Sequence, residues 1–103
     1  MDGNTIVLYS DYVRGATRKI WASIVSTTLR VELQDLGDAA EPRGEYEEVV
    51  EGISLFILRK NLGVDTNEEV LNWLKANFNK GSAIDDLTKY LDKNKISYQV
   101  SSY

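Results

Sequence analysis

The sequence predicts an α+β fold, in which an antiparallel sheet carries helices packed on one face. Two patterns along the chain favour this fold. Apolar and polar residues alternate with a period of two through the first half, and the second half has the period of amphipathic helices. Strands and helices that are segregated along a chain are typical of the α+β class. At 103 residues, we expect a single domain spanning residues 1–103.

The first three strands are predicted at residues 5–12, 19–26 and 28–35. The first of these, TIVLYSDY, is rich in β-branched and aromatic residues, which favour strands. The second and third alternate between apolar and polar positions, which indicates one buried face and one face in water. The short link between them predicts a hairpin, although its turn lacks the favoured Asn-Gly pair.

A loop containing glycine and proline follows, and a fourth strand is predicted at residues 45–50. Successive side chains of a strand point to opposite faces of the sheet. Tyr46 and Glu48 are therefore expected on one face. Glu47 and Val49 are expected on the other.

Helices are predicted at residues 53–62, 66–79 and 83–94, and a closing strand is predicted at residues 96–100. Gly63 supplies a left-handed cap to the first helix. Thr66 and Glu69 form a capping box for the second helix. Ser82 with Asp85 is interpreted as the start of the third.

Large aromatic side chains within these elements are predicted to belong to the core. They are Trp21, Phe56, Trp73 and Phe78. The tyrosines are not assigned to the core in the same way, since tyrosine is common at protein interfaces.

The sequence contains no cysteine and no histidine. Thiolate nucleophiles, disulfides and cysteine-based metal sites are therefore excluded within this chain. The commonest general base near neutral pH is excluded as well, and with it the Ser–His–Asp and Cys–His mechanisms. The glycines form no phosphate-binding motif. We therefore expect a protein that is not an enzyme and that uses no cofactor.

The charge is concentrated in one segment, residues 32–51. It holds eight carboxylates and one cation, a net charge of −7, whereas the whole chain carries −4. An acidic chain is poorly suited to nucleic acid or to an anionic membrane, but an acidic surface suits a basic protein partner. The predicted protein-binding residues are Asp35, Asp38, Glu41, Glu45, Tyr46, Glu47 and Glu48. Tyr46 is the possible aromatic anchor.

Two other hypotheses follow from the sequence. The first uses the same acidic segment: Asp35, Asp38 and Glu41 recur at every third residue as candidate ligands of Ca²⁺, or Glu47 with Glu48 or Glu45 acts as a catalytic pair, although the spacing fits no known calcium loop. The apolar helix at residues 53–62 suggests instead a structural subunit that packs on a copy of itself. Arg14, Arg18 and Lys19 are interpreted as a solvated hairpin end.

The segments KIWASIVSTTLRVELQDLG and YLDKNKISYQVSSY resemble a group of small uncharacterised bacterial proteins. Proteins of this group share a strand ending near QDLG, a strand containing EYE, and a C-terminal tail similar to I-x-Y-x-x-S-[WY]. The chain departs from the pattern at PRGEYEE, where tryptophan often precedes EYE, and at Lys95, where glycine is common. The resemblance implies the fold and a bacterial origin, and it implies no activity.

These observations together predict a cytoplasmic bacterial immunity protein or antitoxin. Such a protein binds a cationic partner, for example a toxin, without catalysis. Cytoplasmic residence is expected because no basic region precedes the short apolar run near the N-terminus, as a secretory signal would require. No apolar run is long enough to span a bilayer.

Overall fold

The computed structural model of the chain describes residues 4–13, 16–37 and 45–102. The side chains of residues 13, 16 and 45 are not part of this description. The described residues form a five-stranded antiparallel sheet and three helices, so the predicted α+β fold is confirmed. The elements are β1 (Thr5–Val13), β2 (Ala16–Val25), β3 (Thr28–Gly37), β4 (Glu45–Ser54), α1 (Leu55–Leu62), α2 (Asn67–Asn77), α3 (Ala83–Lys93) and β5 (Gln99–Ser102).

The strands lie in the sheet in the order of the sequence, from β1 to β5. The predicted hairpin between β2 and β3 is confirmed, because Val25 pairs with Thr28 across a two-residue turn. Ser26 takes the left-handed conformation in this turn, with φ of 59°. A side chain disfavours that conformation, so the turn forms without the residues that tight hairpins prefer.

The two faces of the sheet differ because one is covered by the helices. Strand residues join helix residues in one apolar cluster, to which the sheet contributes Leu8, Ile20, Ala22, Leu29, Val31, Leu33, Val50 and Ile53. The helices contribute Leu55, Leu58, Val70, Leu71, Leu74, Ala83, Ile84, Leu87 and Leu91. We call this side the covered face and the opposite side the open face.

β4 is longer than predicted, and α1 therefore begins at Leu55 rather than at residue 53. Ile53 pairs with Leu29, so its placement in a helix was wrong. A register shift lies between Leu29 and Val31, and near it Gly52 takes a φ of 75°. This irregularity returns Ile53 to the covered face, a displacement that periodicity does not reveal.

The helix boundaries follow from local capping. Gly63 ends α1 with φ of 74°, and Thr66 and Glu69 form the predicted capping box at the start of α2. Ser82 precedes α3 but makes no capping hydrogen bond to the backbone, and its hydroxyl donates to Asp86 Oδ2 at 2.9 Å. The predicted start of this helix at Ser82 is confirmed, although the Ser82 side chain contacts Asp86 rather than a backbone N–H.

The last strand begins later than the predicted residue 96. Ile96 is 4% exposed and packs in the core, and its N–H donates to the carbonyl of Leu91 at 2.9 Å. It therefore fixes the chain to the end of α3, and pairing with β4 starts at Gln99, opposite Glu51. A buried apolar residue that ends a helix carries the same sequence signal as one that opens a strand.

Two of the four aromatic predictions are confirmed. Phe78 is buried, and Trp73 packs against the core with its ring 5.0 Å from that of Phe78. Phe56 is instead 62% exposed. Trp21 lies on the open face, because it pairs with Val7 and alternates with the buried Ile20.

Within the described part of the chain, no helix has the length and apolar character needed to cross a membrane.

Candidate functional site

A row of polar side chains crosses four strands at one end of the sheet. Asp11 of β1 pairs with Arg18 of β2, Arg18 pairs with Asp35 of β3, and Asp35 pairs with Tyr46 of β4. Residues directly opposite each other in an antiparallel sheet share a face. The row lies on the covered face, beyond the apolar core.

Arg18 is the residue that holds this end together. Its Nε and Nη2 donate to the two carboxylate oxygens of Asp35, each at 2.7 Å, and its Nη1 donates to the carbonyl of Gly81 at 3.0 Å. The hydrogen bonds to Asp35 raise the pKa of Arg18, although partial burial opposes this change. Two-point pairing of guanidinium and carboxylate fixes the geometry of both groups. Arg18 thereby joins β2, β3 and the loop between α2 and α3.

Tyr9 continues this arrangement at the edge of the sheet. Its hydroxyl donates to Asp11 Oδ2 at 3.0 Å, and this bond to the carboxylate raises the pKa of Tyr9. A Cβ atom on Gly81 would lie 3.6 Å from the Tyr9 ring. The loop before α3 therefore rests against this ring as well as on Arg18.

A cleft of about 100 Å³ lies between this end of the sheet and the start of α3. Its lining is Arg18, Leu33, Tyr46, Glu48, Gly81, Ser82, Ile84 and Asp85. Acidic residues in the first turn of a helix are favoured by the helix dipole, which explains Asp85 at this position. We call the surface formed by Asp11, Asp35, Tyr46, Glu48 and Asp85 the acidic end.

The structure brings together three of the seven predicted binding residues. Asp35, Tyr46 and Glu48 lie at the acidic end, and Tyr46 is partly buried against the core. Glu47 lies on the open face, where Gln34 Nε2 donates to its Oε2 at 3.1 Å. Glu45 belongs to β4, but its side chain is outside the description. Asp38 and Glu41 lie outside the described residues.

Other carboxylates of the acidic segment also lie on the open face. Glu32 Oε2 is 3.2 Å from Arg30 Nε, and Glu51 Oε1 is 3.5 Å from Arg30 Nη1. Arg30 Nε is buried but is not aligned for a hydrogen bond, so its contact with Glu32 is ionic only. These two acids share one cation within the sheet.

Sequence reasoning did not identify Asp11 and Asp85 as part of the site. They are 74 residues apart in the chain, and strand pairing and helix packing bring them to the same end. The acidic first turn of α3 was visible in the sequence, but its neighbours were not. Arg14, Arg18 and Lys19 were expected to form a solvated hairpin end. Arg14 lies outside the described residues, and Arg18 and Lys19 lie on opposite faces of the sheet.

The acidic end offers carboxylates, a phenol and one guanidinium that is already paired. Among the described residues, no group of three or more Asp or Glu side chains is arranged to hold a metal ion. Both carboxylate oxygens of Asp35 accept from Arg18, so this residue is committed within the protein. The calcium hypothesis also requires Asp38 and Glu41, which are not described, and it stays a prediction.

Comparison with known proteins gave no match to a family model, to a curated protein or to a solved structure. The resemblance to small bacterial proteins thus also stays a prediction.

Proposed function

We propose that the protein is a non-enzymatic interaction domain whose acidic end binds a cationic protein. The observation that carries this proposal is the position of two acids from separate elements, Glu48 of β4 and Asp85 of α3, in the lining of one cleft. Asp11 of β1 and Asp35 of β3 lie beside Arg18 in the adjacent row of the sheet, and both carboxylate oxygens of Asp35 accept from Arg18. Acids of one sign gathered at a cleft raise the local concentration of a cationic partner and speed its association.

Tyr46 gives the acidic end an aromatic contact. Its side chain lines the cleft and packs partly against the core, so little conformational entropy is lost when a partner covers it. Aromatic residues with this restriction contribute much of the free energy of binding at protein interfaces. Tyr46 therefore supplies affinity, and the surrounding acids supply rate and selectivity.

The proposed biological role is that of a bacterial immunity protein or antitoxin that inhibits a basic toxin. The size of the chain, the acidic end and the lack of histidine and cysteine support a binding role over a catalytic one.

The experiment compares two variants with the same change in net charge. The first carries Glu48→Lys and Asp85→Lys at the acidic end. The second carries Glu47→Lys and Glu51→Lys on the open face. Wild type and both variants are used separately to capture proteins from the native host. Circular dichroism checks that both variants fold. Captured proteins are identified, and binding rates are measured over a range of salt concentrations.

We expect the wild type to capture a basic protein whose association slows as salt increases. The acidic-end variant should associate at least about tenfold more slowly, and the open-face variant should keep most of the wild-type rate. The proposal fails if no basic protein is captured, or if the open-face variant loses binding while the acidic-end variant retains it.

A further inference from the structure

The two edge strands of the sheet differ in how their backbones are occupied. At β1, Lys75 Nζ donates to the carbonyl of Val7 at 2.8 Å, and Asp11 Oδ1 accepts from the N–H of Tyr12 at 2.8 Å. The pairing of β1 with β2 also shifts register between Val7 and Tyr9. Lysine contacts and bulges are features that keep an edge strand from pairing with another chain.

β5 has none of these features within the described part of the chain. Its four residues, QVSS, carry no charge and pair with β4 without a register shift. No side chain of a described residue hydrogen-bonds to its backbone. Val100 of this strand is 48% exposed, although it lies opposite the buried Val50 on the covered face.

We propose that β5 is the site at which a second copy of this chain pairs, edge to edge and antiparallel. A two-fold axis perpendicular to the sheet passes between Val100 and the same residue of the copy. The two sheets then form one continuous sheet, with the helices of both copies on the same side. An interface of this kind uses one surface twice and must be complementary to itself.

The residues of β5 meet that requirement. Around the axis, the two Val100 side chains lie opposite each other on the covered face, where each covers the exposed apolar surface of the other. Gln99 lies opposite Ser101 of the copy, so the paired strands place no like charges together.

The carboxylates of β4 do not prevent this pairing. β5 separates Glu48 and Glu51 from the edge, so three strand spacings lie between β4 of one copy and β4 of the other. At about 4.8 Å each, these spacings give roughly 14 Å, which exceeds the Debye length of about 8 Å at physiological salt. For a cationic partner at this edge, the nearest acids of the sheet would lie on β4, one strand away. The edge itself therefore does not favour a cationic partner.

A groove at the segment that precedes β5 is compatible with the same occupant. It has a volume of about 520 Å³ and is lined by Leu91, Asp92, Lys95, Ile96, Ser97 and Tyr98. Its lining holds one acid and one base, and Asp92 already accepts from the Tyr98 hydroxyl at 2.8 Å, so the groove carries no net charge that would repel a copy. The strand is short, so we expect a reversible dimer in the weak class of interfaces.

Sedimentation velocity of the full chain from micromolar to millimolar concentration tests the inference. Two variants are compared with wild type: Val100→Lys at the β5 edge, and Val25→Lys at the end of a central strand. The two valines are exposed to nearly the same extent, 48% and 49%, so the second variant is a matched control. Amide chemical shifts of wild type, followed over the same concentrations, provide a second measurement that needs no variant.

We expect the sedimentation coefficient of wild type and of Val25→Lys to rise from that of a monomer toward that of a dimer. Val100→Lys should remain monomeric, and the concentration-dependent shifts should lie in β5 and not in β1. The inference is overturned if wild type is monomeric at millimolar concentration. It is also overturned if both variants lose association equally, or if the shifts lie away from β5.

Discussion

The covered and open faces of the sheet use their carboxylates in different ways. On the open face, Glu32 and Glu51 share one cation, Arg30, and Glu47 accepts a hydrogen bond from the neutral side chain of Gln34. At the end of the covered face, Glu48 lies in a cleft beside Asp85. Because strand side chains alternate between faces, one acidic run divides into acids that contact other side chains of the open face and an acid that lines the cleft. Charge density along the chain therefore overstates how many acids share one surface.

The largest expected difference between the faces concerns two neighbouring valines of β4. Val50 is 0% exposed within the core, whereas Val49 is 4% exposed on the open face and lies opposite Glu32 and Ser101. Val50→Ala should lower the free energy of unfolding by about 2–3 kcal/mol, because it removes apolar contacts and leaves a cavity. Val49→Ala should cost about 1 kcal/mol, because its surroundings can relax toward solvent. Urea denaturation measures both, and equal losses would contradict a one-sided core.

The next largest difference concerns two arginines. Arg18→Ala removes a two-point pair with Asp35 and the bond to Gly81, and should destabilise the fold by about 1–3 kcal/mol. Arg30→Ala removes contacts at 3.2 and 3.5 Å on the open face and should cost less than about 1 kcal/mol. Chemical denaturation at low and high salt provides the measurement. A larger loss for Arg30→Ala would reverse the assignment of Arg18 as the residue that ties three elements together.

The smallest expected effect compares two carboxylates in the first turn of α2. Glu69 accepts hydrogen bonds there, whereas the described residues offer none to the side chain of Glu68. Glu69 accepts from the Thr66 side chain and from the N–H groups of Asp65 and Thr66, and these bonds lower its pKa below the ordinary value of 4.5. Its contribution to stability is therefore complete above that value and is lost as the pH falls through the lower pKa of the folded state.

Thermal melts between pH 7 and acid, compared for wild type, Glu69→Gln and Glu68→Gln, measure this effect. Glu69→Gln should flatten the loss of melting temperature on acidification. Glu68→Gln removes the same charge from the same turn, where the described residues offer its side chain no hydrogen bond, and should leave the wild-type slope. A Glu68→Gln profile as flat as that of Glu69→Gln would assign the effect to the helix dipole alone.

The fold was predictable because its signals are local. Alternation placed β2 and β3, and the caps at Gly63 and Thr66 located the starts and ends of helices. Errors arose where a local signal has two structural meanings. Ile53 and Ile96 read as helix and strand residues, but a register shift keeps the first in β4 and burial keeps the second against α3.

The candidate site was predictable only in part. The charge of residues 32–51 pointed to Glu48 among the acids of the cleft, and alternation correctly separated Glu48 from Glu47. Asp11 and Asp85 could not be added, because neither the position of β1 in the sheet nor the packing of α3 is encoded near them. The predictions that Trp21 and Phe56 belong to the core were wrong for a related reason, since regular elements carry aromatic residues on exposed faces as well as buried ones.

The sequence by itself determined the α+β class, the acidic balance and the absence of histidine and cysteine chemistry, since composition and periodicity act residue by residue. Only the tertiary structure decided which acids share a surface and which backbone edge is occupied. Both depend on strand register and helix packing, which join residues far apart in the chain: Arg18 meets Gly81, and Lys75 meets Val7. Such pairs have no local sequence signal, because each residue alone fits many environments.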